Sequence, residues 1–228
     1  MAKVLFITTS AEKITDDWQT GVWFEELSTP YYIFEDSGVN VTIASHNGGK
    51  PPFDPTAFEP ENVTDSVTRF QQDEKAMNKL NNSLKAEELD FSKYDGIFYP
   101  GGHGVIVDLP YNDIIARKVA EFFEEGKPVA SVCHGPAALL NVRLGNGDSI
   151  IKDKKVTAFC NNEEEAIGVK DIVPFLIEDE FKKLGGTFEH GENFAEFAIA
   201  DGNLITGQNP ASSAKTAKLL LNIINQEG

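Results

Sequence analysis

Three observations predict an α/β fold with a doubly wound, mostly parallel sheet and helices on both faces. Short, almost continuously apolar runs rich in β-branched residues recur along the chain, helical stretches separate them, and Gly, Pro or Asp marks the joints. Such runs suit strands covered on both faces, as a parallel sheet between two helical layers requires. The predicted strands are residues 3–8 (KVLFIT), 40–45 (NVTIAS), 96–100 (GIFYP), 128–132 (PVASV) and 155–159 (KVTAF). The predicted helices are residues 21–37, 65–81, 112–125, 133–140, 173–184 and 210–225. Pro210 can occupy a first helical turn, where its missing N–H would be unpaired anyway, and Gly126 can end the helix over 112–125. Two places break the rhythm. A Pro/Gly-rich loop over 47–62 opens a stretch to about residue 89 that reads as a small cap on one edge of the sheet. Residues 187–206 resemble an antiparallel pair turning at Asp201-Gly202. With no repeats and no long linker, the 228 residues read as a single domain.

Charge narrows the partners. Twenty basic residues stand against 36 acidic ones, a net charge of −16. Such a surface repels nucleic acid and anionic lipid, and the acids are spread along the chain rather than gathered in a tail. No stretch approaches the roughly 20 apolar residues of a membrane helix, and the apolar run in MAKVLFITTS is too short for a signal-peptide core. Two cysteines make neither a disulfide framework nor a metal-finger pattern. A cytoplasmic protein without nucleic-acid or membrane partners is the resulting expectation.

The chemistry concentrates in PVASVCHGPAALL, residues 128–140. Ser131-Val132-Cys133-His134-Gly135 has the form small-x-nucleophile-x-Gly between a strand and a helix, a thiol version of the nucleophile elbow. The turn would lift Cys133 above the carboxyl end of its strand, where open α/β sheets place their sites. Only about 3% of a thiol with the reference pKa is ionised at pH 7, and a helix N-terminus with an adjacent imidazole would lower that pKa. A buried structural cysteine in a tight turn is the competing reading. Tyr99-Pro100-Gly101-Gly102-His103-Gly104 ends another strand, and its free N–H groups suit an oxyanion hole beside the elbow, with His103 equally suited to a pocket wall.

Phe159-Cys160-Asn161-Asn162-Glu163-Glu164-Glu165 follows a third strand at the same edge. One of its carboxylates can orient His134 and complete a Cys–His–acid set, although helix capping explains most of the run. Cys160 lacks an elbow and reads as core. Glu26 falls three residues after Trp23, beside the apolar face of its helix. Protonated there it would donate to Cys133, but a solvated glutamate is the simpler reading of the residues alone. His190-Gly191-Glu192 offers a remote base of the kind amidotransferase thiols use, yet it falls in the hairpin region. His46 has no visible partner.

Taken together, TGVWFEELSTPYYIF, YDGIFYPGGHG, SVCHGPAAL, VTAFCNNEEEAIG and DGNLITGQNPASS resemble the ThiJ/PfpI superfamily nearly end to end. Its fold is that of the class I glutamine amidotransferases, and it includes the Parkinson-associated deglycase. The similarity is strongest to the branch of heat-shock chaperones and glutathione-independent glyoxalases (glyoxalase III). The resemblance implies a flavodoxin-like fold, often a homodimer, with Cys133 as nucleophile, His134 as its base and Glu164 (or Glu163) as the orienting acid. Glu26 matches the helix glutamate that contacts the cysteine, Gly102 and the His134 backbone match the oxyanion donors, and His103 with Trp23 line the pocket. Part of the family carries a metal site, for which no matching His/carboxylate set is visible here, so no cofactor is expected. The implied activity is conversion of a small 2-oxoaldehyde, methylglyoxal, to lactate, a lyase reaction of the D-lactate dehydratase type. A stress chaperone, or a deglycase, peptidase or amidase using the same thiol, are the alternatives.

Overall fold

The computed structural model describes residues 1–227. Strand β1 (Lys3–Thr8) is followed by the small hairpin β2 (Lys13–Thr15) and β3 (Trp18–Gln19), helix α1 (Phe24–Glu35) and β4 (Asn40–Ser45). Next come α2 (Asp65–Gln72), α3 (Glu74–Asn81), β5 (Leu84–Lys85), β6 (Gly96–Tyr99), α4 (Val105–Asp108), α5 (Asp113–Glu124) and β7 (Val129–Val132). Then follow β8 (Lys155–Val156), α6 (Asn161–Ala166), α7 (Ile177–Lys183), β9 (Thr187–Phe188), the hairpin of β10 (Ala198–Asp201) and β11 (Leu204–Gly207), and α8 (Ser213–Glu227).

Seven strands form the main sheet in the order β10-β11-β7-β6-β1-β4-β5. All neighbours are parallel except β10, which runs antiparallel to β11 at the edge. The apolar runs are continuous because alternate residues feed two cores. Val4 and Phe6 of β1 face the layer holding Leu27 and Phe34 of α1 and Leu220 of α8. Leu5 and Ile7 face the layer with Val119 and Phe122 of α5. From β1 the strand order builds outward through β4 and β5, then resumes on the opposite side with β6, β7 and β11. The order therefore reverses between β1 and β6, and beyond the strands' carboxyl ends at such a reversal open α/β sheets place their sites. The turns after β6 and β7 and the connection from β1 to α1 all emerge at that end.

Four expectations change. Residues 155–159 do not extend the main sheet: only Lys155 and Val156 pair, in parallel, with Thr187 and Phe188 in a separate two-stranded sheet. The expected hairpin over 187–206 shortens to β10 and β11, since Thr187 and Phe188 are used elsewhere. The expected helix over 65–81 is two helices broken at Asp73, whose carboxylate accepts from the N–H groups of Lys75 and Ala76 and so starts α3. Residues 133–140 form a 3-10 turn, Gly135–Leu139, not an α-helix. Within 47–89, α2 lies against α1 and α3 lies against α2 and β4, burying Val67, Phe70, Ala76 and Leu80 in one core, and β5 joins the sheet edge.

Candidate active site

Cys133 adopts a left-handed backbone, φ 61°, a conformation that costs a residue with a Cβ about 1–2 kcal/mol. Hydrogen bonds on both sides hold it: its N–H donates to Gly207 O at 2.9 Å and its carbonyl accepts from Phe159 N–H at 2.9 Å. The second bond joins the Cys133 turn to the segment that leads into α6. Gly135 is required by close approach, because a Cβ there would lie 2.3 Å from Tyr99 O. Gly102 combines φ 99° with a contact that no Cβ tolerates, 2.2 Å from Gly21 O.

Three of the expected residues meet in sequence. His134 Nδ1 lies 3.3 Å from Cys133 Sγ, and His134 Nε2 lies 2.8 Å from Glu164 Oε1. The two candidate acids differ in their bonds. Glu163 turns back to cap α6, accepting from Cys160 N–H at 3.1 Å, and its other oxygen accepts from Phe194 N–H and the Asn209 amide. Glu164, one position further round the helix, faces the imidazole. Burial opposes ionisation of Glu164, yet the positive potential of His134 and the ring N–H donors outweigh it and hold its carboxyl near 2. As a carboxylate it only accepts, so His134 carries its neutral-state proton on Nε2 and presents a basic Nδ1 to the sulfur.

Glu26 is fully buried, not solvated. Its Oε2 accepts from Gly101 N–H at 2.7 Å, and Oε1 has no hydrogen-bond partner other than the thiol side of the site. Burial, reinforced by the charge of Glu25, pushes the Glu26 carboxyl well above the usual range. Burial thus favours its neutral acid form, whose O–H would face Cys133.

The expectation of a lowered thiol pKa is corrected. Burial raises the Cys133 thiol, and negative charge on Glu26 would raise it further. The segment that follows is a 3-10 turn rather than an α-helix, and the His134 N–H on the sulfur lowers the thiol pKa by less than burial and Glu26 raise it. The thiol therefore needs His134 as an acceptor for its proton.

Among the remaining expected residues, His103 Nε2 lies 3.2 Å from Glu164 Oε2, and its ring centroid is 3.7 Å from that of His134. Burial, with the neighbouring His134, lowers the His103 pKa to about 4. The N–H groups of Gly102 and His134 make no bond to a backbone carbonyl among the described residues, and the His134 N–H is directed at the Cys133 sulfur. Trp23 caps α1, with its N–H on Gly101 O at 3.1 Å and its ring half-buried. The indole paired with His103 belongs instead to Trp18, 5.0 Å between centroids, a residue that no motif marked. Its signal was weak, since two short strands around Asp16-Asp17 carry little periodicity. His190 is bonded to Gly191 O, and His46 to Asn47, away from the array. Cys160 is buried as core.

One His/carboxylate group does come together in the fold. His103, His134 and Glu164 bring donor atoms within 4.8 Å of one another. Both Glu164 oxygens are occupied by ring nitrogens, so the three are one another's hydrogen-bond partners rather than free ligands.

Comparison with known proteins bears on the family of the chain. The glutathione-independent glyoxalase hsp3102 of Schizosaccharomyces pombe is 33% identical over 213 residues, covering 89% of this chain and 88% of that protein. The crystal structure of glyoxalase III from Candida albicans matches with a TM-score of 0.90 at 30% identity, covering 97% and 96% of the two chains. The Rapid Encystment Protein 24 KDa of Francisella tularensis matches with a TM-score of 0.93 at 36% identity, covering 98% and 99%. The profile of the DJ-1/PfpI family spans residues 19–223, and the chain belongs to that family.

Proposed function

We propose that this protein is a glutathione-independent glyoxalase that converts methylglyoxal to lactate, a lyase of the D-lactate dehydratase type. The observation that carries the proposal is the continuous Cys133–His134–Glu164 array, 3.3 and 2.8 Å between partners, with buried Glu26 beside the sulfur. It is supported by the glyoxalase names of similar proteins from two fungi. A protein thiol takes the place of glutathione: the hemithioacetal forms on the enzyme itself.

His134 Nδ1 accepts the thiol proton, and Sγ attacks the aldehyde carbon, C1. The new alkoxide, facing the N–H groups of Gly102 and His134, takes that proton back from His134. Neutral again, His134 removes the proton from C1 to give an enediolate charged on O2; the C1 hydroxyl proton passes to O2 and His134 returns its proton to C2, so C1 becomes the thioester carbonyl and C2 carries the hydroxyl. The carbon skeleton is then a lactoyl thioester on Cys133, with no net oxidation. Water adds to the thioester carbonyl, the C–S bond breaks, and lactate leaves as the thiol is restored. Glu164 keeps His134 in the tautomer this sequence needs, and Glu26 donates to the sulfur as charge develops there.

The test is lactate formation from methylglyoxal without added thiol. Wild type is expected to turn over, and Cys133→Ala to lose activity by about three orders of magnitude or more. Turnover by Cys133→Ala at the wild-type rate overturns the reading.

A further inference from the structure

A wall residue should present its polar atom to the substrate. His103 commits Nε2 to Glu164 Oε2 at 3.2 Å, opposite the 2.8 Å bond that His134 makes to Oε1. Its ring packs on His134 at 3.7 Å and against Trp18 at 5.0 Å. Trp18 is itself held by the β2–β3 hairpin, which pairs Thr15 with Trp18 and is closed at its base by Thr20 N–H on Glu12 O at 2.9 Å. The side chain of His103 is 13% exposed, against 1% for His134 and 3% for Glu164.

We propose that His103 is a positioning residue acting through Glu164: its N–H fixes the second carboxylate oxygen, so that Glu164 cannot rotate away from His134 and the basic nitrogen stays aimed at Cys133. A carboxylate held by one donor still turns about its last torsion. Held on both oxygens, its plane is fixed, and His134 keeps the Nε2–H tautomer. The groups that bear electrostatically on His103 are Glu164, His134 and Asp54, and burial keeps its ring neutral above a pH of about 4. Its proton therefore stays committed to Glu164 and is not used on the substrate. This inference rests on the proposed Cys133–His134–Glu164 array.

Two variants separate positioning from wall-lining. His103→Phe keeps a ring against His134 and Trp18 but removes the donor. His103→Gln restores an N–H at the same number of bonds from Cα. Kinetics with methylglyoxal and the bulkier phenylglyoxal are expected to show kcat about tenfold or more lower in His103→Phe, the scale of a misaimed catalytic group. KM should stay within about twofold, the ratio of the two substrates should be unchanged, and His103→Gln should recover most of the rate. A substrate-free arm uses 15N-histidine NMR, with only four histidines in the chain. His134 should be the Nε2–H tautomer in wild type and His103→Gln, and mixed in His103→Phe. The proposal is overturned if His103→Gln is as slow as His103→Phe, or if KM and the substrate ratio move while kcat holds. A His134 tautomer unaffected in all three proteins also overturns it. Should wild type turn over neither aldehyde, the glyoxalase reading fails while the NMR arm still decides the role of His103. If His103→Phe does not fold, a tenfold loss in His103→Gln overturns the proposal by itself.

Discussion

His103 and Glu164 tie the stability of the protein to pH through shifts of the same direction. The unfolded chain protonates His103 near 6.5, whereas the folded protein resists until about 4, so stability falls as pH drops across that window. Glu164 is ionised in the folded state down to about 2, against 4.5 for the free group, so its contribution is present above 4.5 and is lost below it. Chemical denaturation at about pH 7 and about pH 5 should show a loss on acidification, reduced in His103→Gln, which has no proton to take up in the upper window. Glu26 makes a different prediction. It is neutral, and Gly101 N–H depends on it, so Glu26→Gln should keep the fold while Glu26→Ala leaves that buried donor unpaired at a cost of about 1–3 kcal/mol, readable as a shift in denaturation midpoint.

At the scale of elements, the site depends on how the arm over residues 157–164 is held. That arm leaves β8 outside the main sheet, yet two bonds return it: Thr157 N–H to Thr206 Oγ1 and Phe159 N–H to Cys133 O, each 2.9 Å. Helix α6 then starts at Cys160, and Glu163 caps it so that Glu164 faces His134. Thr206→Val keeps the shape of β11 but removes the acceptor for a fully buried N–H. Loss of about 1–3 kcal/mol is expected, with a fall in kcat because the acid-bearing arm loosens; unchanged stability would show that the arm is held by other means. The apolar run KVTAF read as a sheet strand because local hydrophobicity does not distinguish pairing from simple burial. Only the position of Thr187 and Phe188 decided where Lys155 and Val156 pair.

For the whole molecule, charge bears on substrate choice. The chain carries a net charge of −16, and among the described residues no lysine or arginine is ion-paired or hydrogen-bonded to Glu26, Glu163 or Glu164. An anionic aldehyde such as glyoxylate meets this field unfavourably, whereas methylglyoxal is neutral. Activity on glyoxylate should be much lower and should rise as the Debye length falls from about 30 Å to about 3 Å with added salt, while methylglyoxal turnover stays flat. The alternating strand and helix pattern, the elbow around Cys133 and the glycine turn at Gly101-Gly102 were legible along the chain, because each is a local demand on neighbouring residues. Burial of Glu26, the choice of Glu164 over Glu163, the contact of Trp18 with His103 and the raised thiol pKa were not. Each depends on which groups a distant strand or hairpin brings within a few ångströms, and on how much water their meeting excludes. The order of residues along the chain was enough for the scaffold and for the elbow that carries Cys133. The tertiary structure alone decided the protonation of the site, because pKa values follow burial and neighbouring charge rather than chain order.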